Sequence, residues 1–234
     1  MLTKEKREGG WKFALVAILA FLLLAVDVVS VFAAKVLDGR PLSDPAVFGT
    51  HWYVTACAFL CSATVWLISA AVIIRWARRR GVLDALFSLR RDRREWLVFG
   101  LGVVALVLIA RLEASASGWA WLSLVREYRG FERLYPGHGA AVTAFQFLYY
   151  LLESSMVVLI LAAWQRAGEL WTGLRLVPWG GFGLTLTWGA AHFASHPQGA
   201  LAVVVTALIF GLVFVGVRKS APLGLATVWL AFIV

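Results

Sequence analysis

Two titratable residues stand inside oily stretches of this 234-residue chain: Glu153 in FQFLYYLLESSMVVLILAAW and His192 in LTLTWGAAHFAS. An ionisable side chain at the centre of a bilayer costs about 2.5–3.5 kcal/mol on insertion scales, so such groups turn toward a protein interior or a wet cavity and mark a site. Any proton-handling or polar recognition chemistry is therefore sought around these two positions.

Counting along helices at ~1.5 Å per residue from the basic loops places Glu153 about 18 Å deep and His192 about 21 Å deep. The same count puts Asp27 and Arg111 near 22 Å and Cys61 near 21 Å. Asp27, Arg111, Glu153 and His192 are thus expected in one polar layer. Arg111 either pairs with Glu153 or snorkels to the outer surface, and Asp27 is either wetted there or part of the layer. His192 and His196, four residues apart, share a helix face, which is half of a metal-binding geometry. They are weak candidates for a divalent metal, and no cofactor is expected. Cys57 and Cys61 share a face without redox or zinc spacing and read as packing residues. The chain holds no nucleotide loop, GxSxG or CxxCH motif.

The elements that must position these groups are membrane helices. A composition of 61% hydrophobic residues and a mean hydropathy of +0.81 exclude a soluble globular domain and predict an all-α, polytopic membrane protein. Seven apolar segments are expected, at 11–34, 52–74, 96–112, 139–164, 178–197, 199–217 and 222–234, most of them approaching the ~20 residues that cross hydrocarbon. The first follows Lys4, Lys6 and Arg7 and exceeds a signal-peptide core, so it is read as a retained helix. The short last segment must lie partly buried, run on from Arg218, or continue beyond Val234.

A net charge of +9 does not point to nucleic acid, because eight of the 22 basic residues cluster between Arg75 and Arg94, as in a loop lying against anionic lipid. Sixteen Lys and Arg fall on the N-terminal side of the predicted topology and six on the other, which predicts a cytoplasmic N-terminus and an outer C-terminus. Residues 81–95 and 118–137 carry basic or aromatic amphipathic patterns that fit interfacial helices. The glycines Gly180, Gly181 and Gly183 fit a close helix crossing or a broken helix lining a cavity. One transmembrane domain spans 1–234, with N-terminal helices and interfacial segments over 1–138 and a core over 139–234. Alanine and arginine richness without asparagine fits a GC-rich bacterial genome and hence an inner membrane.

From about Ala144 the order of features resembles the CPBP or Abi family of intramembrane proteases, whose members trim prenylated CAAX proteins or process bacteriocins. YYLLESSMVVL and WGAAH resemble that family's glutamate and histidine motifs, so Glu153 and His192 match one motif glutamate and the motif histidine. Trp188 stands where the family has Phe, and Gly211 and Gly216 resemble its glycine-marked helix. The resemblance implies a four-helix core in which the glutamate activates water and the histidine holds the carbonyl oxygen. The chain departs from it in having no second glutamate beside Glu153, valine at the arginine position, and Trp229 in place of a histidine. Two functions follow. Either the fold has lost proteolysis and binds or scaffolds another membrane protein or membrane-borne peptide, the reading we favour, or a divergent endopeptidase uses Glu153 as base and His192 as electrophile, with Arg111 or Asp27 supplying what is missing.

Overall fold

The computed structural model describes residues 4–41, 49–88, 92–117, 122–195 and 200–234. Each long apolar run forms helix, the fold that satisfies every backbone group internally. α1 (Lys4–Leu24) and α2 (Val26–Leu37) form one rod through Ala25, whose N–H still reaches Phe21 O at 3.0 Å. There follow α3 (Trp52–Arg79), the single turn α4 (Leu83–Leu86), α5 (Arg93–Ser117), α6 (Ser123–Leu134) and α7 (Gly139–Thr172). α8 (Trp179–Leu184) leads through a π-turn (Thr185–Gly189) into α9 (Ala190–Ser195), then α10 (Ala200–Gly216) and α11 (Ala221–Ile233). Among the described residues no strand forms, and an isolated bridge joins Ser88 to Ser220.

Among the described residues four helices are long and apolar enough to cross a membrane: Arg7–Leu37, Trp52–Arg79, Arg93–Leu112 and Gly139–Thr172. Leu201–Gly216 and Ala221–Ile233 are shorter apolar helices. Leu97, Leu101, Val104, Leu108 and Leu112 lie exposed along α5, as do Leu15, Leu22, Val28 and Phe32 on α1 and α2. Such continuous apolar surface suits lipid and not water.

α7 is the hub, packed against α1, α3, α4, α6, α8, α10 and α11. Its sequence is apolar on every side, as a helix surrounded by others requires. α1 lays a face of Gly10, Phe13, Ala14, Ala17, Ala20 and Leu24 on it, all buried. Small residues at three- and four-residue spacing bring the two backbones close. A Cβ on Gly10 would collide with the Trp171 indole.

Within 81–95, where the sequence fits a short interfacial helix, the single turn α4 forms, with Leu86 buried against the main core. α6 packs on α7 and α11 while Phe131 and Tyr135 bury against Val142. Trp119 and Trp121 lie outside the described residues.

Polar contacts gather at the two ends. At the end without the N-terminus, the Tyr135 hydroxyl donates to Gly49 O at 2.5 Å and meets Thr55 Oγ1 at 2.7 Å, tying α3 to the α6–α7 corner. Burial pushes the Tyr135 phenol above its ordinary value, which keeps its donor proton in place. Glu132 accepts from Gly137 N (2.8 Å) and Gly139 N (3.1 Å), setting a carboxylate at the positive start of α7.

At the basic end, Lys219 Nζ reaches both Glu169 oxygens at 3.1 Å. Gln165 Nε2 donates to Glu169 Oε1 (3.1 Å) and Val177 O (3.0 Å), and Gln165 Oε1 accepts from Gly180 N at 3.0 Å. This network fixes the end of α7 to the start of α8 and to the α10–α11 turn, where Arg218 and Lys219 take left-handed φ of 52° and 62°. Arg166 Nη1 also lies 3.5 Å from Glu169 Oε2, so the carboxylate keeps a cationic partner when Lys219 is lost. Lys219→Met is expected to lower unfolding stability in detergent by about 1 kcal/mol, and Lys219→Met with Arg166→Met, which strands the buried charge, by on the order of 3 kcal/mol. Thermal unfolding followed by size exclusion checks both.

Candidate functional site

Glu153 lies in the middle of the hub and is 7% exposed. Its placement depends on how closely α8 approaches α7. Gly180 sits against the Leu161 carbonyl, and Gly183 sits under the Trp164 indole. Gly181 and Gly211 pack back to back, so that a Cβ on Gly211 would come within 2.6 Å of Gly181 N. The glycine cluster read from sequence as a close helix crossing is one.

Beyond this crossing the helix widens into the π-turn, a form that recurs where a side chain must be re-aimed at a site. Thr185 and Thr187 donate to Gly181 O (3.0 Å) and Gly183 O (2.9 Å). Trp188, buried at the end of the turn, points its indole N–H at Glu153 Oε1, 3.5 Å away. His192 lies one turn further on. Its ring centroid is 4.2 Å from that of Trp188, and its Nδ1 is 3.0 Å from Trp188 O. That contact fixes the tautomer with the proton on Nδ1. Glu153 and His192 are thus joined through Trp188, one at the N–H edge of the indole and the other against its ring.

Asp27 belongs to the same layer. Ser62 Oγ donates to its Oδ1 at 3.3 Å and shares a 2.8 Å hydrogen bond with Ser30 Oγ. The Tyr149 hydroxyl also hydrogen-bonds this carboxylate, and His192 and Glu153 lie within electrostatic reach of it. Arg111 is exposed on α5, which packs on α10 and α11. His196 lies outside the described residues, so the histidine pair remains a feature of the sequence. Among the described residues no three His, Cys, Asp or Glu side chains converge as metal ligands would. Cys57 and Cys61 share an exposed face of α3.

Sequence reasoning passed over the residues one and two turns from Glu153 on the same helix. Tyr149, Tyr150 and Gln146 line a cavity of about 190 Å³ together with Asp27, Thr55 and Phe59. Their signal was there in the 3-, 4- and 7-residue spacing from Glu153, but aromatic residues in a membrane helix read equally well as packing. Ser62 was hidden for the same reason beside Cys61, and the Gln165–Glu169–Lys219 network lay in what read as basic loops.

No family model, curated protein or solved structure matches this chain.

Removing the indole donor should leave the Glu153 carboxyl buried without its partner. Trp188→Phe is expected to cost about 1–3 kcal/mol in a detergent unfolding assay. Adding Glu153→Leu should restore part of that loss, and strictly additive losses would show that the two residues do not interact.

Proposed function

We propose that this chain is a seven-pass bacterial inner-membrane protein, basic end in the cytoplasm, that keeps a CPBP-like arrangement of its last helices. In this reading it binds another membrane protein or a membrane-borne peptide without cleaving it. α10 and α11 and the α8–α9 run complete the seven passes beside the four long helices, with interior contacts making up for their shortness.

The observation that carries the reading is the Glu153–Trp188 contact. A general base needs its carboxylate free to hold a water against the scissile carbonyl. Here the carboxylate is buried and engaged by an indole N–H. The second glutamate and second histidine expected from the resemblance are absent from the sequence around 153 and at Trp229. Groups that act as a unit lose most of their catalysis when one goes.

The alternative, a divergent endopeptidase with Glu153 as base and His192 as carbonyl partner, draws support from their shared contact with Trp188. Purified wild type and Glu153→Gln, reconstituted in liposomes with a prenylated CAAX peptide and a transmembrane reporter segment, separate the two. No product from either protein is expected. Cleavage by wild type that Glu153→Gln abolishes would establish the endopeptidase.

A further inference from the structure

A cavity of about 190 Å³ opens beside Asp27, and its walls have a definite chemistry. Asp27, Val31 and Ala34 of α2 form one wall, and Thr55, Ala58 and Phe59 of α3 form another. α7 supplies Gln146, Tyr149 and Tyr150, and the cavity reaches the turn before α3 at Gly49.

Three features restrict what fits. First, among the described residues Asp27 is the charged residue of this lining and gives it an acidic group in a chain of net charge +9. Arg126, the cation that acts on Tyr150, is engaged by Ser123 Oγ (3.1 Å) and Glu127 (3.6 Å). His192 is the basic group within reach of Asp27. Second, Gln146 is 5% exposed; its Nε2 donates to the Tyr150 hydroxyl at 2.8 Å, while its Oε1 is buried with no hydrogen-bond partner. Buried amide oxygens are nearly always satisfied, and this unpaired one belongs to a residue of the cavity lining. Third, three aromatic residues stand among the small and aliphatic ones of the lining: Phe59 and Tyr149 centroids are 5.1 Å apart, and Tyr149 and Tyr150 are 5.6 Å apart.

We infer that this cavity binds a small organic ammonium, held by Asp27, the aromatic rings of Phe59, Tyr149 and Tyr150, and the Gln146 carbonyl. A carboxylate beside aromatic faces is how proteins bind alkylated ammonium groups. A hard metal cation demands six or more oxygens, and this lining is too apolar to supply them. At ~30 Å³ per water the space equals about six waters, the size of an ammonium with a few carbons. The ligand is either a soluble amine or the ammonium headgroup of a phospholipid, since both present the same group. The inference goes beyond the proposed binding of a membrane protein or peptide and gives this layer a small ligand of its own.

The full-length protein in phosphatidylglycerol nanodiscs is titrated calorimetrically with choline and with its neutral carbon analogue 3,3-dimethylbutan-1-ol. Saturable choline binding at least about tenfold tighter than the neutral analogue is expected, weakened about tenfold or more by Asp27→Asn. Gln146→Met provides a second variant with the carboxylate intact, and it should weaken ethanolamine, which can donate to the amide, more than choline, which donates only through its hydroxyl. Both variants are first matched to wild type in elution and melting. In phosphatidylcholine nanodiscs, loss of soluble-choline binding identifies a lipid headgroup as occupant, and unchanged binding identifies a soluble amine. Absence of saturable binding in phosphatidylglycerol, equal affinity for the neutral analogue, or indifference to Asp27→Asn overturns the inference. A negative binding result with no peptide cleavage removes the ligand class alone, whereas cleavage abolished by Glu153→Gln removes the non-proteolytic reading.

Discussion

Hydrocarbon solvates neither carboxylates nor amides, and the whole arrangement follows from meeting that constraint along one helix. α7 carries Gln146, Glu153, Ser154, Gln165 and Glu169 through the interior, all buried. Each carboxylate takes a partner from another segment: Trp188 of the π-turn for Glu153, and Lys219 of the α10–α11 turn for Glu169, which Arg166 and Gln165 of α7 also engage. Ser154 is satisfied within its own turn by Tyr150 O at 2.7 Å. Polar side chains in such an interior are costly unless paired, so each pairing restricts which helix can sit beside α7 and in what register.

Glycine makes those pairings reachable. With a side chain at Gly180, Gly181 or Gly183, α8 would be held away from α7 and α10, and the indole of Trp188 would be displaced from Glu153. The basic-end network sets the start of the same segment, because Gln165 accepts from the Gly180 amide while its own amide holds Val177 O. The path from Lys219 through Glu169 and Gln165 to α8, and from α8 through the π-turn to Trp188, is a run of direct contacts. The fold thereby fixes the depth and direction of the polar layer from one end of the bundle.

Much of this was legible from composition and depth. Helical class and the long apolar spans follow from hydropathy, and ~1.5 Å of rise per residue led to an expected layer of Asp27, Arg111, Glu153 and His192, while Trp188 was picked out only by the resemblance. Rotation about a helix axis is what depth counting leaves out. Arg111 lies at a suitable depth on a helix that packs elsewhere, while Tyr149, Tyr150 and Gln146 lie on the cavity side of α7. No strong amphipathic pattern betrays facing in a helix buried all round, so Gln146 and the tyrosines carried no sign of which way they point. Lys219 was invisible for another reason: its pairing depends on a left-handed turn that places a loop residue against the end of a distant helix.

The central claim is that Glu153 belongs to the sealed interior, covered by Trp188, one turn below a cavity that Tyr150 lines. Thiol accessibility tests it most directly, in a background with Cys57 and Cys61 replaced by serine. Tyr150→Cys in membranes should react with a small hydrophilic methanethiosulfonate reagent, whereas Glu153→Cys should react at least about tenfold more slowly and gain reactivity when Trp188→Ala is added. Equal rates at the two positions, or no effect of removing the indole, would contradict the account.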